Sequence, residues 1–362
     1  MARGLRGKVV KQRRWLQLAF LALVLSIGAQ FTVWALAHLA GHPPAVPRPP
    51  GVEGFLPISA LMSLRLWVAG EGIHPVHPAG LAILLAILVM SAVVAKSFCS
   101  NLCPVGTVSE ALGRLGARLL GSTWKLPRWL DIPLRSLKYL LLAFFLWAVW
   151  ISMDLAAVRA FLDSPYNKVA DVKMLLFFAS PSRLTVAVLG VLVVGSMLVR
   201  DLWCRYLCPY GALLGLLGRL APLKVTRDPR RCTDCRACTR VCPARLPVHR
   251  LRRVASAECT SCQDCVAACP APGCLAVRLP GLRRPGRSFT PAHAVLLALA
   301  LFLGITGVFR AAGRWRGNVS EAEFAARLAD IHSPLYTHTG GLAAAEEQAQ
   351  PLAPVPAHAT LD

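Results

Sequence analysis

Five apolar runs, divided by segments that alternate between strongly basic and nearly neutral, constrain this 362-residue chain more than any other feature. They extend roughly from Leu16 to Leu39, Ala79 to Phe98, Tyr139 to Met153, Leu184 to Trp203 and Ala292 to Phe309. A helix needs about 20 residues to cross a hydrocarbon core. Lipid offers no partner to an open backbone N–H or C=O, so such runs are expected to be membrane helices. The third run is the shortest in its strictly apolar part and continues past Asp154 through a mixed stretch ending at Leu162.

The formal charge of +22 raises the question of nucleic acid. Its distribution answers against it. Six Lys or Arg lie in residues 1–14, six between Pro104 and Lys138, and fifteen between Arg219 and Arg287. The loop 40–78 has only Arg48 and Arg65, and the loop 154–183 sets four basic residues against three Asp. Basic loops on alternate sides are the pattern of a multi-pass membrane protein with the basic side in the cytoplasm. The expected partner of this charge is an anionic lipid headgroup rather than DNA or RNA. An inner-membrane protein follows, with its N-terminus inside, five crossings and its C-terminus outside. The first apolar run exceeds the 7–15 residues of a secretory signal, so a retained anchor is expected.

Twelve of the thirteen cysteines fall into repeated groups. Cys232, Cys235, Cys238 and Cys242, followed by Pro243, form Cys-x2-Cys-x2-Cys-x3-Cys-Pro, and Cys259, Cys262, Cys265 and Cys269, followed by Pro270, repeat it. This is the signature of bacterial two-cluster ferredoxins, in which the fourth cysteine of each run serves the other cluster. One [4Fe-4S] cluster is therefore expected on Cys232, Cys235, Cys238 and Cys269, and a second on Cys259, Cys262, Cys265 and Cys242. Zinc modules space their cysteines in separated pairs, and disulfides call for an oxidising compartment. Cys274 stands apart and reads as a small packed hydrophobe.

The remaining pairs, Cys99/Cys103 and Cys204/Cys208, are each Cys-x3-Cys-Pro-x-Gly at the end of an apolar run. Each sits where a span returns to the basic side. A span, an outer loop, a second span, the cysteine motif and a basic segment with Gly-Arg-Leu occur twice in succession. Parallel repeats of this kind are related by an axis along the membrane normal, which would bring the two pairs face to face. Cys99, Cys103, Cys204 and Cys208 are then expected to form one site, either a third iron-sulfur cluster or a set of redox thiols. The alternative is simple packing of helix ends.

Weaker signals surround these. His38, His42, His74 and His77 lie toward the outer face, as interfacial histidines or as a metal, haem or quinone site. Arg200, Asp201 and Arg205 lie beside the second pair, as headgroup anchors or as groups that tune its potential. Gly211 and Gly215 suggest close packing. The Ala-, Pro- and Glu-rich tail is expected to be largely disordered. No Cys-x2-Cys-His, dinucleotide fingerprint or nucleophile elbow is present. Electron relay is what remains.

These motifs resemble the NapH-like membrane polyferredoxins, the C-terminal part of NosR-like proteins and the CcoG-like proteins, over roughly residues 15–280. The resemblance implies membrane electron transfer, as a quinol-dehydrogenase component exchanging electrons with the quinone pool or an outer-face redox protein, with a cytoplasmic donor or acceptor. Its other branches imply copper reduction or metalloenzyme assembly. The expected fold is an all-α transmembrane bundle of five spans, in two parallel repeats of two, with a cytoplasmic α+β ferredoxin-like domain. The expected division is a basic N-terminus (1–14), repeats at 15–138 and 139–225, the ferredoxin domain (226–287), a fifth span (288–310) and the outer tail (311–362).

Overall fold

The computed structural model describes residues 2–279 and 291–337. Its long first helix, α1 (Ala2–Leu39), contains no proline and ends at the outer histidines. A short antiparallel pair follows it, α2 (Pro57–Val68) and α3 (Pro78–Val94), each opened by a proline at the first helical position, where the missing N–H costs nothing. Ala95 has φ of 52° and breaks the chain direction. Beyond it α4 (Ser97–Asn101) carries Cys99, and α5 (Pro104–Leu119) starts at Cys103.

The second half repeats this order with a longer outer connection. It runs through α6 (Arg128–Trp147), α7 (Leu155–Asp163), α8 (Pro165–Lys168), α9 (Ala170–Ala179) and α10 (Arg183–Leu198). A widened π-type turn, Trp203–Leu207, contains Cys204, and α11 (Pro209–Gly218) starts at Cys208. A small lobe then adds β1 (Lys224–Arg227), α12 (Ala237–Val241), α13 (Asp264–Ala268) and β2 (Leu275–Arg278), before α14 (Pro291–Ala311) and α15 (Glu321–Ala329). The strands pair antiparallel, with Val225 opposite Val277. Residue 226, where the sequence places the start of this lobe, lies inside β1, and residue 139 lies inside α6.

Among the described residues three helices are long and apolar enough to cross a membrane: Val10–Leu39, Arg128–Ser152 and Ala292–Ala311. A fourth crossing results if α9 and α10, which meet at 78°, form one broken span. Five are expected from sequence, and the difference lies in α3. Its 17 residues give about 26 Å at 1.5 Å per residue, short of a hydrocarbon core of about 30 Å. Leu81, Ala82, Leu84, Ala86 and Met90 are all buried, so most of the apolar surface of α3 faces protein, with Val89 left exposed. The third run also differs: its helix starts at Arg128 rather than Tyr139, and Asp154 accepts from the Ala157 N–H at 2.6 Å to open a new helix instead of continuing the old one.

The C-terminal tail is folded as far as Thr337, where the sequence suggests disorder. Ser320 accepts from the Glu323 N–H at 3.1 Å and caps α15. Phe324, Leu328, Ile331 and Tyr336 then pack against Phe31, Trp34, Val169 and Val172, closing the end of the bundle away from the lobe. Apolar burial of this extent outweighs the ordering cost that a mostly polar composition implies. Residues 338–362 lie outside the described residues, as do 280–290 at the lobe's end.

Candidate iron-sulfur centres

The lobe has two concave spaces. One is lined by Cys232, Cys235, Cys238 and Cys269. The other is lined by Cys259, Cys262, Cys265 and Cys242. Each gathers three cysteines from one run and the fourth from the other, the crossed arrangement expected from sequence. Among the described residues no three His, Cys, Asp or Glu converge closely enough for a single ion. Four thiols spread around a cavity suit a cubane, which offers a separate iron to each.

The backbone of the two loops repeats as faithfully as the cysteines. Asp234 and Arg236, on either side of Cys235, have φ of 50° and 57°; Ser261 and Gln263, on either side of Cys262, have φ of 55° and 62°. Non-glycine residues are seldom found there. Alternation of this kind turns successive amide N–H groups into one concavity and makes an anion-binding nest, a feature of many iron-sulfur sites. The residues present thus fit a negatively charged thiolate cluster at both places.

The two cavities differ in exposure. Cys235 is exposed, and the Asp234 amide and the Arg227 guanidinium draw the Cys232 thiol below its ordinary value. In the second cavity burial pushes Cys259 up to about 11. Cys274 corrects its sequence reading in part. It is buried, as a packed hydrophobe would be, but it lines the first cavity, where its thiol lies against Cys232 and Cys269. A fifth thiol beside four ligands had no signal in the motif.

The Cys-x3-Cys-Pro pairs come together between the two halves of the bundle. Cys208 is within electrostatic reach of Cys99 and Cys103, and Cys204 of all three. Local geometry is the same in both. Cys103 Sγ accepts from the Gly106 N–H at 3.4 Å and Cys208 Sγ from the Gly211 N–H at 3.2 Å, so each sulfur caps a helix whose first residue is proline. Two positive helix ends therefore face the quartet, a setting that favours thiolate. The glycines are required by contact: a Cβ on Gly106 would stand 2.4 Å from the Cys99 carbonyl oxygen.

Lys96, which sequence reasoning passed over, supplies the test of fit. It is 4% exposed and makes no direct ion pair among the described residues, although its charge reaches Glu258, the partner of Lys138. A Cβ on Gly211 would stand 3.5 Å from Lys96 Nζ and 3.6 Å from Cys208 Sγ, so ammonium and sulfur flank one glycine. Its charge also reaches Cys99, Cys103 and Cys259. A buried charge that must share one carboxylate with Lys138 is only partly compensated, which is costly. Burial pushes Cys99 up to about 12 and Cys103 up to about 11, so without iron these two thiols offer Lys96 no anion at pH 7. Iron would draw off those protons. An anionic cluster fits the donors, the two helix ends and the ammonium together.

The second lobe cavity is seated on this quartet. Lys138 Nζ donates to Glu258 at 2.7 Å, Ser100 Oγ to the Thr260 carbonyl at 2.8 Å, and Arg13 lies 3.5 Å from Asp264. A Cβ on Gly215 would stand 2.5 Å from the Ala257 carbonyl oxygen, which gives Gly215 the close-packing role expected of it. Arg205 forms a two-pronged pair with Asp131 at 3.0 Å and reaches the Pro243 carbonyl at 3.4 Å. It thereby links the residue after Cys204 to the residue after Cys242. Arg200 lies 3.9 Å from Glu110, itself held by Arg13 at 2.8 Å.

The outer histidines do not converge. His38 pairs with Glu321 at 3.1 Å, His74 with Asp163 at 3.2 Å, and His77 Nε2 meets the Asn167 carbonyl at 2.7 Å; His42 is exposed. Burial of the His74 ring outweighs Asp163 and holds it below the ordinary value, whereas for His77 the hydrogen bond and charge of Glu53 outweigh burial and raise it.

Comparison with known proteins agrees with this architecture. The family described as "4Fe-4S binding domain" matches twice, at residues 76–123 and 184–227, and each match contains one Cys-x3-Cys-Pro. A "4Fe-4S dicluster domain" matches residues 224–270. YccM of Escherichia coli, named as a candidate electron transport protein, is 41% identical over 312 residues, which is 85% of this chain and 87% of YccM. The ferredoxin-type protein NapH of Haemophilus influenzae is 26% identical over 66% of this chain and 77% of its own length. The methylamine utilization ferredoxin-type protein MauN of Methylorubrum extorquens is 30% identical over 53% of this chain and 62% of its own. No solved structure matches. Apolar helices, two ferredoxin cavities and this kinship lead to one conclusion: the chain belongs to the NapH-like membrane polyferredoxins, [4Fe-4S] proteins of electron transfer.

Proposed function

We propose that this protein relays single electrons through three iron-sulfur centres, from the lobe surface to the membrane. Cys232, Cys235, Cys238 and Cys269 hold the first centre, Cys259, Cys262, Cys265 and Cys242 the second, and Cys99, Cys103, Cys204 and Cys208 the third. The observation that carries this reading is the position of Lys96, a buried ammonium between the quartet and Cys259 that shares the Glu258 carboxylate with Lys138. The twofold match of a 4Fe-4S family at the quartet's two motifs supports it. Thiolate clusters supply the electron-carrying chemistry. The chain's own residues fix their order: Lys138, Ser100 and Arg13 hold the second lobe cavity against the bundle, and the first cavity stays open to solvent.

The partner on the membrane side is the quinone pool or an outer-face redox protein, as in a quinol-dehydrogenase subunit, with a soluble donor or acceptor on the lobe side. The protein lies in a bacterial inner membrane with the N-terminus and lobe in the cytoplasm and α15 outside. The placement of basic residues supports this orientation. The helix α3 completes a fifth passage: it starts beside the folded tail, where the Asn318 N–H donates to the Pro75 carbonyl at 3.0 Å, and ends at the quartet. The alternative of copper reduction or metalloenzyme assembly would use the outer histidines. These have separate partners, so electron relay is the reading supported best.

Iron and acid-labile sulfide content, with EPR of the reduced protein, tests the proposal. Purified anaerobically, the protein is expected to hold about twelve iron, and the variant with Ser at 99, 103, 204 and 208 about eight, at four per cubane. Eight in both would leave the quartet as thiols and remove the third centre.

A further inference from the structure

We propose that the arginine rim around the first cavity is a docking surface for an acidic, soluble one-electron carrier protein. The inference rests on the reading that Cys232, Cys235, Cys238 and Cys269 hold a cluster, and it names the partner of that site.

Arg230, Arg231, Arg236, Arg240 and Arg250 are all exposed, and Asp234 is the one exposed carboxylate among the described residues of the lobe. Arg236 lines the cavity itself. Arg231 lies over its edge, where a Cβ on Gly273 would stand 2.8 Å from its Nη1. Among the described residues Arg230 and Arg236 pair with no carboxylate, and Arg231 has only the 3.5 Å neighbour Asp228. Arg231 and Arg236 thus set incompletely neutralised positive charge beside the opening above Cys235, which favours an anionic partner there. That is where a carrier must approach for an electron to cross a short gap.

A membrane surface is the other candidate for this charge. It is disfavoured by the way the lobe is seated. The basic groups that tie the lobe to the helices are different ones: Arg245 to the Trp124 carbonyl at 2.8 Å, Arg253 to the Pro222 carbonyl at 3.0 Å, and Arg13, Lys138 and Arg205 from the helices. The contacts from Arg13, Lys138 and Arg205 fall on the second cavity's side, at Pro243, Glu258 and Asp264. None of the five rim arginines makes a described contact with the helical body. Guanidinium pairs with carboxylate in a two-pronged geometry, which suits the acidic face of a small carrier. The exchange moves one electron: the reduced carrier loses it, the oxidised lobe site gains it, and no bond or proton is transferred.

The test uses the full chain in detergent with an acidic plant-type [2Fe-2S] ferredoxin as the probe. Reduction by that ferredoxin is followed by stopped flow across a salt series, and binding of the oxidised ferredoxin by interferometry. The Arg230→Gln/Arg231→Gln variant is expected to lose at least about tenfold in both at low salt, with a flatter salt dependence. Reduction by dithionite and iron content stay unchanged. The Lys pair at the same positions is expected to retain most of the rate, and Arg240→Gln/Arg250→Gln to show a smaller loss. An unchanged ferredoxin rate in both Gln variants overturns the proposal. So does a loss confined to binding of phosphatidylglycerol vesicles, which would assign the rim to lipid. A wild type that dithionite reduces but ferredoxin does not sinks the docking surface alone, whereas a lobe without reducible iron sinks the site reading as well.

Discussion

Lys138 and Glu258, 120 residues apart in sequence, meet at 2.7 Å across the seam between the helical body and the ferredoxin lobe. Lys138 is fully buried, Tyr139 donates a second hydrogen bond to the same carboxylate at 3.0 Å, and Glu258 immediately precedes Cys259. Burial alone would raise the Glu258 carboxyl, but the ammonium and the hydrogen bonds hold it below its ordinary value. One ion pair therefore fixes the register of the second cluster loop against the bundle.

Removing one partner leaves a charge buried without compensation, which costs about 3–5 kcal/mol. Glu258→Gln is expected to lower the melting temperature in detergent and to expose the lobe to protease. The Lys138→Met/Glu258→Gln pair should recover most of the loss. The depressed carboxyl gives stability that is complete above the unfolded glutamate value, about 4.3, and fades as pH falls through the lower folded value. Protease accessibility of the wild type should rise over that window, while that of Glu258→Gln should be flat. A double variant as unstable as the single one would show that the pair is not coupled.

Glycine contacts separate the site from the scaffold. A Cβ on Gly106 meets the Cys99 carbonyl oxygen at 2.4 Å, whereas one on Gly28 of α1 meets nothing within 4 Å. Gly106→Ala is expected to lose the quartet's iron, about four per chain, while leaving the lobe signals intact. Gly28→Ala should be neutral, or stabilising by up to about 1 kcal/mol through helix propensity. Equal iron in the two variants would contradict the close approach that joins the motif's ends.

The iron-free protein gives a pH-dependent signature. With burial raising Cys99 to about 12 and Cys103 to about 11, their thiolate fractions near neutrality are very small. Alkylation by iodoacetamide should be slow at pH 8 and rise about tenfold per pH unit through pH 10, where an ordinary thiol near 8.5 has levelled off. Peptide mass spectrometry of Cys99 and Cys103 reads the rates. Levelling near pH 9 would show that the quartet is open to water when empty.

Much of this was legible in the sequence because iron-sulfur ligation and membrane insertion both write in spacing. The crossed placement of Cys242 and Cys269 is expected from a run whose three closely spaced cysteines serve one cubane and whose fourth serves the next. The meeting of Cys99 with Cys208 followed from the symmetry of two parallel repeats. The length of α3 was not legible, because an apolar run reads alike whether lipid or protein surrounds it; Ala95 turns the chain with no glycine or proline to announce it. The tail was underread: Ser320 and Glu323 form a Ser-x-x-Glu capping signal, but the value of α15 lies in the faces of α1 and α9 that it covers. Lys138 and Glu258 carry no local sign of each other, since their pairing depends on where the lobe docks.

Lys96 connects the parts, and its charge has a measurable consequence. A reduced centre bears one more negative charge than an oxidised one, so a nearby ammonium stabilises reduction and raises the potential. Lys96→Met is expected to lower the midpoint of the quartet's EPR signal, identified as the one that Cys99→Ser and Cys208→Ser both abolish. The shift should be on the order of 60 mV, a factor of ten in the one-electron equilibrium, in keeping with two charges several Å apart at an effective dielectric constant of about 20. The second centre, which Lys96 reaches through Cys259, should shift in the same direction by less, and the exposed first centre not at all. Lys96→Arg keeps the charge and should keep the potential if the larger head is accommodated. A purely structural lysine would behave differently: Lys96→Met would then reduce the iron bound without moving the midpoint of the centres that remain, and that outcome would remove Lys96 from the electron path.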